Sequence, residues 1–240
     1  MQGWVHLDKI LKNPHILVAG TPGSGKSTLL DSMIFTIAAN DATCAEMILI
    51  DPKRVDLYKW CNLPHVLRYE TDNDRIVDAL DEAIGRMEWR YDHRHPQDYW
   101  RHLYVIIDEL ADLMVTDRKR ILPRLQRISQ LGRGANVHLV CCTQAPSRKV
   151  IPAELTLNFT DRIALRCVSP IESRQIINVS GAENLPRYGT GLYLSAEGLF
   201  ELDIPKTPDD LIEDRIMYWE AEAMPTPKTF FQKLKGAFSW

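Results

Sequence analysis

The sequence predicts an α/β domain of three layers, in which helices cover both faces of a largely parallel β-sheet. Short apolar runs alternate with helical stretches along the chain of 240 residues, as repeated strand–helix units require. Several runs are apolar at nearly every position, which is typical of strands that are buried on both faces. One run leads through a glycine-rich turn directly into a helix.

The amino-terminal half contains two strands and two long helices. "HILVAG" (15–20) is the first strand, "KSTLLDSMIFTIAAN" (26–40) is the helix after the turn, and "MILID" (47–51) is the second strand. The clearest helix covers residues 71–94, with Thr71 or Asp72 as its cap. Its apolar residues recur at steps of three and four positions: Ile76, Leu80, Ile84, Met87 and Tyr91.

The carboxyl-terminal half continues the alternation. "LYVIID" is a third strand, and a helix follows in which Pro123 predicts a late start or a kink. Two further strands, a short helix, a hairpin that turns around Gly198 and a helix opened by Thr207 and Pro208 complete the order. These elements are expected at 103–108, 121–134, 137–144, 161–168, 171–178, 191–204 and 209–223.

Composition places the chain among ordinary globular proteins. Hydrophobic residues make up 45% and charged residues 25%, no apolar run approaches the roughly 18 residues of a membrane span, and no signal peptide precedes the first strand. Five cysteines without C-x-x-C spacing predict buried thiols in a reducing, cytoplasmic compartment. The net charge of −3 does not indicate a dedicated monomeric DNA binder.

The glycine-rich turn carries a phosphate-binding motif. "GTPGSGKST" fits G-x-x-x-x-G-K-[ST] between a strand and a helix, which is the context that the motif requires. Lys26 is expected to reach the β- and γ-phosphates, and the Ser27 hydroxyl to ligate Mg²⁺. The predicted nucleotide-binding residues are Gly20, Thr21, Pro22, Gly23, Ser24, Gly25, Lys26, Ser27 and Thr28.

Two later strand ends supply candidates for hydrolysis. Asp108 would hold the Mg²⁺ shell and Glu109 would be the general base, although an acidic pair at a strand end can also be a solvated surface feature. Gln144 ends an apolar strand at the edge where ligands bind in open α/β sheets. It would contact the γ-phosphate or orient the attacking water, or else serve only as a turn residue.

Five segments together resemble one family: "PHILVAGTPGSGKST", "MILIDPKRVDL", "YVIIDELADLM", "GRGANVHLVCCTQAPS" and "TDRIALRCVSPIESRQII". In order and spacing they are similar to the FtsK/SpoIIIE-type DNA translocase motor over about residues 14–204. The resemblance implies a RecA-like P-loop NTPase fold, ATP with Mg²⁺ as cofactors, and a hexameric ring that threads double-stranded DNA. Lys26, Ser27, Asp108, Glu109 and Gln144 match its Walker A, Walker B and sensor positions.

The resemblance leaves two roles open, that of the D-P-K signature and that of an arginine from the next subunit. Asp51 and Lys53 match the family's D-P-K signature, for which an ion pair or an interface role is as well supported as catalysis. A ring motor also needs an arginine from the next subunit, worth ~10³–10⁵ in rate. Arg162, which follows the loop into the fifth strand, is the first choice, Arg133 the second and Arg174 a third; each could instead be a structural ion-pair partner.

The densest basic run, "DRKRILPRLQR", contains Arg118, Lys119, Arg120, Arg124 and Arg127 beside Asp117. A solvated helix face is favoured for this run over contact with DNA.

Ala145 and Pro22 depart from the family, which usually has arginine and threonine at these positions. No membrane-spanning segment or winged-helix module is recognised, so septal anchoring and sequence-directed polarity are not expected, and a mobile-element motor or a piece of a longer protein fits better.

The predicted organisation is a lead-in, a motor domain, a helix and a loosely held tail. The leading functional hypothesis is an ATP-driven translocase of double-stranded DNA. The alternatives are an ATPase engine for protein secretion or conjugative transfer, and an assembly module that binds ATP without cycling. The predicted boundaries are 1–13, 14–205, 206–224 and 225–240.

Overall fold

The structure, a computed structural model, describes residues 4–39, 45–93 and 100–221. These residues form one nine-stranded sheet in the order β1-β9-β8-β7-β2-β6-β5-β3-β4. Each adjacent pair of strands is parallel except for the two pairs that involve β8. The strands are β1 (Trp4–Val5), β2 (His15–Ala19), β3 (Glu46–Ile50), β4 (Val66–Glu70), β5 (Leu103–Ile107), β6 (Val137–Thr143), β7 (Asp161–Ala164), β8 (Thr190–Ser195) and β9 (Gly198–Asp203).

Helices cover both faces of this sheet, so the predicted three-layer α/β architecture is confirmed. One apolar layer packs α2 and α8 against the sheet around Leu29 and Met33. The other packs α3, α4 and α5 around Leu80 and Leu125. The helices are α1 (Leu7–Ile10), α2 (Lys26–Ala39), α3 (Asn73–His93), α4 (Leu110–Thr116), α5 (Arg118–Leu131), α6 (Ala153–Thr156), α7 (Pro170–Ile177) and α8 (Asp209–Ala221).

Several expectations for individual elements need correction. The helix around Pro123 begins at Arg118, before the proline rather than after it. Pro123 has no N–H to donate to the carbonyl of Lys119, four residues earlier. Lys119 is exposed, so water can satisfy that carbonyl. The elements β1, α1, β4, α4 and α6 were not predicted. The tail from residue 225 and Cys44 lie outside the described residues.

Three of the four described cysteines are buried, as their apolar surroundings in the sequence predicted, whereas Cys61 is half-buried. Cys141, Cys142 and Cys167 are buried and unpaired, and burial raises the pKa of each thiol, which keeps it protonated and unreactive. In the ranges given above, every helix is too short or too polar to cross a bilayer. No cluster of three metal-binding side chains of the His, Cys, Asp and Glu types occurs in those ranges.

Buried histidines lie at the amino ends of the central strands. His138 is 4% exposed; its Nε2 lies 2.7 Å from His102 Nδ1, and its Nδ1 lies 3.2 Å from the Asn13 carbonyl. Burial, reinforced by His102, lowers the pKa of His138 to about 3. Burial likewise lowers the pKa of His15 to about 4. The fold therefore holds both rings neutral at pH 7.

Candidate functional site

The glycine-rich turn wraps tightly between β2 and α2. Gly23 and Gly25 have φ of +72° and +93°, a conformation that L side chains seldom adopt. A Cβ at Gly20 would lie 2.6 Å from the Leu165 Cβ, so that position also requires glycine. Lys26 opens α2, which places the positive end of the helix dipole at the turn. Residues 20–28 thus have the local geometry of a phosphate cradle.

Lys26 and Asp108 meet at the base of this cradle. The Lys26 ammonium donates to the Asp108 carbonyl at 2.9 Å and to Asp108 Oδ1, and Asp56 lies 3.8 Å away. Lys26 is 6% exposed and Asp108 fully buried. Burial raises the pKa of Asp108 to about 6, against the lowering effect of Lys26. The P-loop lysine and the first acidic residue are therefore brought together, as the motif requires.

Glu109 is held by four contacts at the carboxyl end of β5. Its carboxylate accepts from Gln144 N, at 3.1 Å to Oε1 and 3.3 Å to Oε2. It also accepts from Ala111 N at 3.3 Å, which caps α4. Lys53 Nζ lies 3.1 Å from Oε2. Since Glu109 is 1% exposed, these donors fix the carboxylate in one place, as a general base needs.

The D-P-K signature gains specific roles from these contacts. Lys53 forms the ion pair with Glu109 described above, which was one of the open alternatives. Asp51 is fully buried, and its Oδ2 accepts from Leu57 N at 3.2 Å and from the Tyr69 hydroxyl at 3.3 Å. Asp51 thus shapes the loop that carries Lys53 to Glu109. The signature residues support the Glu109 carboxylate from the neighbouring strand.

The donor set fits a magnesium ion. Asp108 Oδ2 is buried and accepts no hydrogen bond within the described part of the chain, and a carboxylate oxygen is a ligand that Mg²⁺ prefers. Ser27, in the first turn of α2, supplies the hydroxyl. These two residues would hold the ion, which neutralises charge on the β- and γ-phosphates when it is bound.

The three candidate arginines have different surroundings. Arg162 is half-buried at the start of β7 and donates to the carbonyls of Phe159, Thr156 and Ile176 at 2.8, 3.1 and 3.3 Å. Arg174, on α7, and Arg133, after α5, are exposed. The guanidinium of Arg162 thus has a structural role in its own subunit, which makes it a weaker candidate for the arginine that a ring motor needs from the next subunit, the arginine finger.

The basic run of α5 is ion-paired with α3. Arg124 binds both oxygens of Asp81, at 2.9 and 2.7 Å, and Arg127 binds Glu88 at 2.7 Å. Arg120 pairs with Asp74 at 2.6 Å and with Asp117. These guanidinium groups join two exposed helices, which agrees with the preference for a solvated face.

Two residues near the cradle escaped the reading of the sequence. Arg187 Nε lies 3.4 Å from the Gly23 carbonyl, and the Tyr188 ring lies 3.9 Å from the Cβ position of Gly25. Both precede β8, more than 150 residues after the turn. Periodicity and motif spacing carry no signal for such a contact.

The fold and this site define a P-loop ATPase. The family model described as "FtsK/SpoIIIE family" matches residues 2–97 and 93–148, and the chain belongs to this family, as its motifs predicted. The chain is 35% identical to "DNA translocase FtsK" of Tropheryma whipplei over 214 residues, which are 78% of this chain and 29% of that protein. It is 33% identical to the Helicobacter pylori protein of the same name over 232 residues, covering 88% and 27%. The chain therefore spans less than a third of these relatives.

Solved structures share the fold at lower identity. The cytoplasmic domain of the Type VII secretion ATPase EccC of Thermomonospora curvata is similar with a TM-score of 0.73 and 24% identity, over 87% of this chain and 28% of that one. The pCW3 conjugation coupling protein TcpA, solved as a monomer with ATPγS, gives 0.71 and 24%, over 87% and 65%. These similarities establish the α/β architecture of P-loop ATPases.

Proposed function

We propose that this chain is the motor domain of an ATP-driven translocase of double-stranded DNA. The observation that carries the proposal is the assembled site, in which Lys26 meets Asp108 while Glu109 is fixed by Gln144 N and Lys53. Family membership supports DNA as the cargo, since the relatives named above are DNA translocases.

The chemistry follows from the positions of these side chains. The backbone N–H groups of the turn and the Lys26 ammonium bind the phosphates and stabilise negative charge that develops on them. Glu109 takes a proton from the attacking water, a step that contributes typically 10²–10⁴ in rate. Gln144, which follows β6 directly, orients that water. Lys53 holds the Glu109 carboxylate in a fixed position beside the cradle.

A ring of subunits completes the proposal. We assign the trans arginine to one of the exposed residues, Arg133 or Arg174, in preference to Arg162. In a hexameric ring the fields of six pore surfaces add, so a few basic residues per subunit suffice to hold a phosphate backbone. Such a ring reconciles DNA binding with the net charge of −3.

ATP turnover with and without long double-stranded DNA tests this function. Turnover that DNA stimulates, and that Glu109→Gln lowers by about 10²–10⁴, supports it. Asp112→Asn on the same helix is the matched control and should retain activity. Turnover indifferent to DNA contradicts the proposal, and a subunit that stays monomeric with ATP and DNA in a particle-mass measurement contradicts the ring.

A second candidate is an ATPase engine that moves a polypeptide. The ion pairs of α5 with α3 favour it, because they occupy the guanidinium groups of the densest basic run. Stimulation of turnover by a partner polypeptide and by no DNA would select this candidate. Nucleotide binding without turnover under any of these conditions would select an assembly module instead.

A further inference from the structure

The segment before β8 lies directly against the phosphate-binding turn. The Arg187 guanidinium covers Gly23: a Cβ at that glycine would lie 2.9 Å from Nη2 and 3.5 Å from Nε. Tyr188 stands beside Gly25 in the same way, and the Arg187 guanidinium carbon lies 5.3 Å from the centre of its ring. The two side chains thus form a stacked cation–aromatic pair at the rim of the cradle.

Sheet topology explains why this segment reaches the turn. Because β8 runs antiparallel to β7, its first residue lies at the same edge as the carboxyl ends of the parallel strands. Gly189 adopts φ +86°, and its carbonyl accepts from Ile204 N at 2.9 Å. The carboxyl-terminal hairpin therefore holds Arg187 and Tyr188 beside the turn.

The same topology assigns a direction to the nucleotide. Asp108 and Glu109 follow β5, on one side of β2, and Lys26 points to them. The γ-phosphate must lie at this side, where the general base and the metal ligand are. The nucleoside end therefore extends towards the other side of β2, where β7 and β8 lie and where Arg187 and Tyr188 stand.

The chemistry of the pair suits a planar base. Tyr188 is 59% exposed, and none of the ion pairs within the described ranges involves Arg187. A guanidinium plane and an aromatic ring both stack on heteroaromatic bases. Arg187 is also directed to the Gly23 carbonyl, so its donors face the turn and its plane remains available.

We propose that Arg187 and Tyr188 form a nucleoside clamp, which binds the base and ribose of the nucleotide held by residues 20–28 of the same subunit. The inference rests on the proposed ATP-binding function. It goes beyond that function because it assigns recognition of the nucleoside to the carboxyl-terminal hairpin region. The clamp acts in cis and binds ATP and ADP alike, since the base and the ribose are common to both.

Equilibrium binding to the intact chain with Mg²⁺ tests the clamp, with ATP, ADP and inorganic tripolyphosphate as probes. Arg187→Ala and Tyr188→Ala should each weaken ATP and ADP by about five- to a hundredfold, the range of one base-stacking contact. Tripolyphosphate, which has no base, should bind the variants and the original chain equally. Arg215→Ala and Tyr218→Ala, from a second cation–aromatic pair on α8, are the matched controls and should bind all three probes unchanged.

Conservative variants separate stacking from charge and from folding. Tyr188→Phe should retain affinity for ATP, whereas Arg187→Lys should lose it, because an ammonium lacks the guanidinium plane. Unchanged ATP affinity in both alanine variants, or an equal loss for tripolyphosphate, would overturn the clamp while the ATPase proposal stands. An original chain that binds no nucleotide would overturn both.

Discussion

Replacing Arg162 by alanine distinguishes a structural arginine from an arginine finger. The guanidinium donates to three backbone carbonyls of its own subunit, at Phe159, Thr156 and Ile176. The group is half-buried, and this burial lowers its pKa. These bonds tie the start of β7 to the segment before it and to the end of α7, at the amino ends of the parallel strands and thus opposite the P-loop. We therefore expect the main effect of Arg162→Ala on stability.

The size of this effect follows from the contacts. A hydrogen bond to a charged group contributes about 1.5–3 kcal/mol, but carbonyls near the surface regain water when the donor is removed. Three such bonds, partly replaced by water, give a loss of about 2–4 kcal/mol. In a domain of this size each kcal/mol lowers the Tm by about 2–4 °C, so we expect a drop of roughly 5–15 °C.

Thermal unfolding followed by circular dichroism measures the drop, with Arg174→Ala, at an exposed position of α7, as the control that should leave the Tm nearly unchanged. ATP turnover measured well below the lowered Tm should be largely retained by Arg162→Ala. A Tm within about 2 °C of the original, together with turnover reduced ~10³-fold or more, is the signature of a trans finger. That outcome would refute the structural assignment and restore Arg162 as first choice.

Three further outcomes follow from the same contacts. Lys53→Met should lower turnover tenfold or more at unchanged nucleotide affinity, because Glu109 loses the cation that fixes its carboxylate; unaltered turnover would contradict this. His15 and His138 have pKa values of about 4 and 3 in the fold, lower than the value of about 6.5 in the unfolded chain. The unfolded chain therefore binds more protons below pH 6.5, and the fold loses stability as the pH falls below that value. Each histidine should cost about 2 kcal/mol at pH 5, and urea unfolding at pH 7.5 and 5 that gives equal free energies would exclude this. Arg124→Ala should cost less than about 1 kcal/mol in urea unfolding, because its ion pair with Asp81 is partly exposed to solvent, and should leave DNA-stimulated turnover unchanged; loss of that stimulation would indicate DNA contact.

The extent to which sequence predicted this fold depends on how local each signal is. The helix at residues 71–94 was predicted almost to its ends, because its apolar periodicity and its cap are both local. The strand β4 was missed: "VLRYE" mixes Arg68 and Glu70 with apolar residues, and β4 lies at a sheet edge. The short helix α4 was missed because its seven residues follow the acidic pair without a break.

The functional site likewise has one part with a local sequence signal and other parts without one. The phosphate-binding turn is one contiguous segment, so its composition was sufficient to predict it. Lys53 and Glu109 are 56 residues apart and meet because β3 and β5 are neighbours in the sheet. Arg187 and Gly23 are separated by 164 residues and meet because β8 reverses direction. Strand order and direction are global properties, and one sequence carries no local signal for them.

The charges gathered at the cradle explain why the site needs cations from elsewhere. Lys26 and Lys53 are its only described ammonium groups within ion-pair distance of the acidic pair, and Asp51 and Asp56 add to the negative field that Asp108 experiences. A nucleoside triphosphate brings several further negative charges into this buried place. Two lysines and one divalent ion do not balance four carboxylates and three phosphates, and unbalanced charge is costly where water is excluded. The remaining compensation must come from helix and backbone dipoles and from guanidinium groups: Arg187 stands at the rim of the cradle in the same subunit, and the proposed trans arginine would add a second guanidinium from a neighbouring subunit.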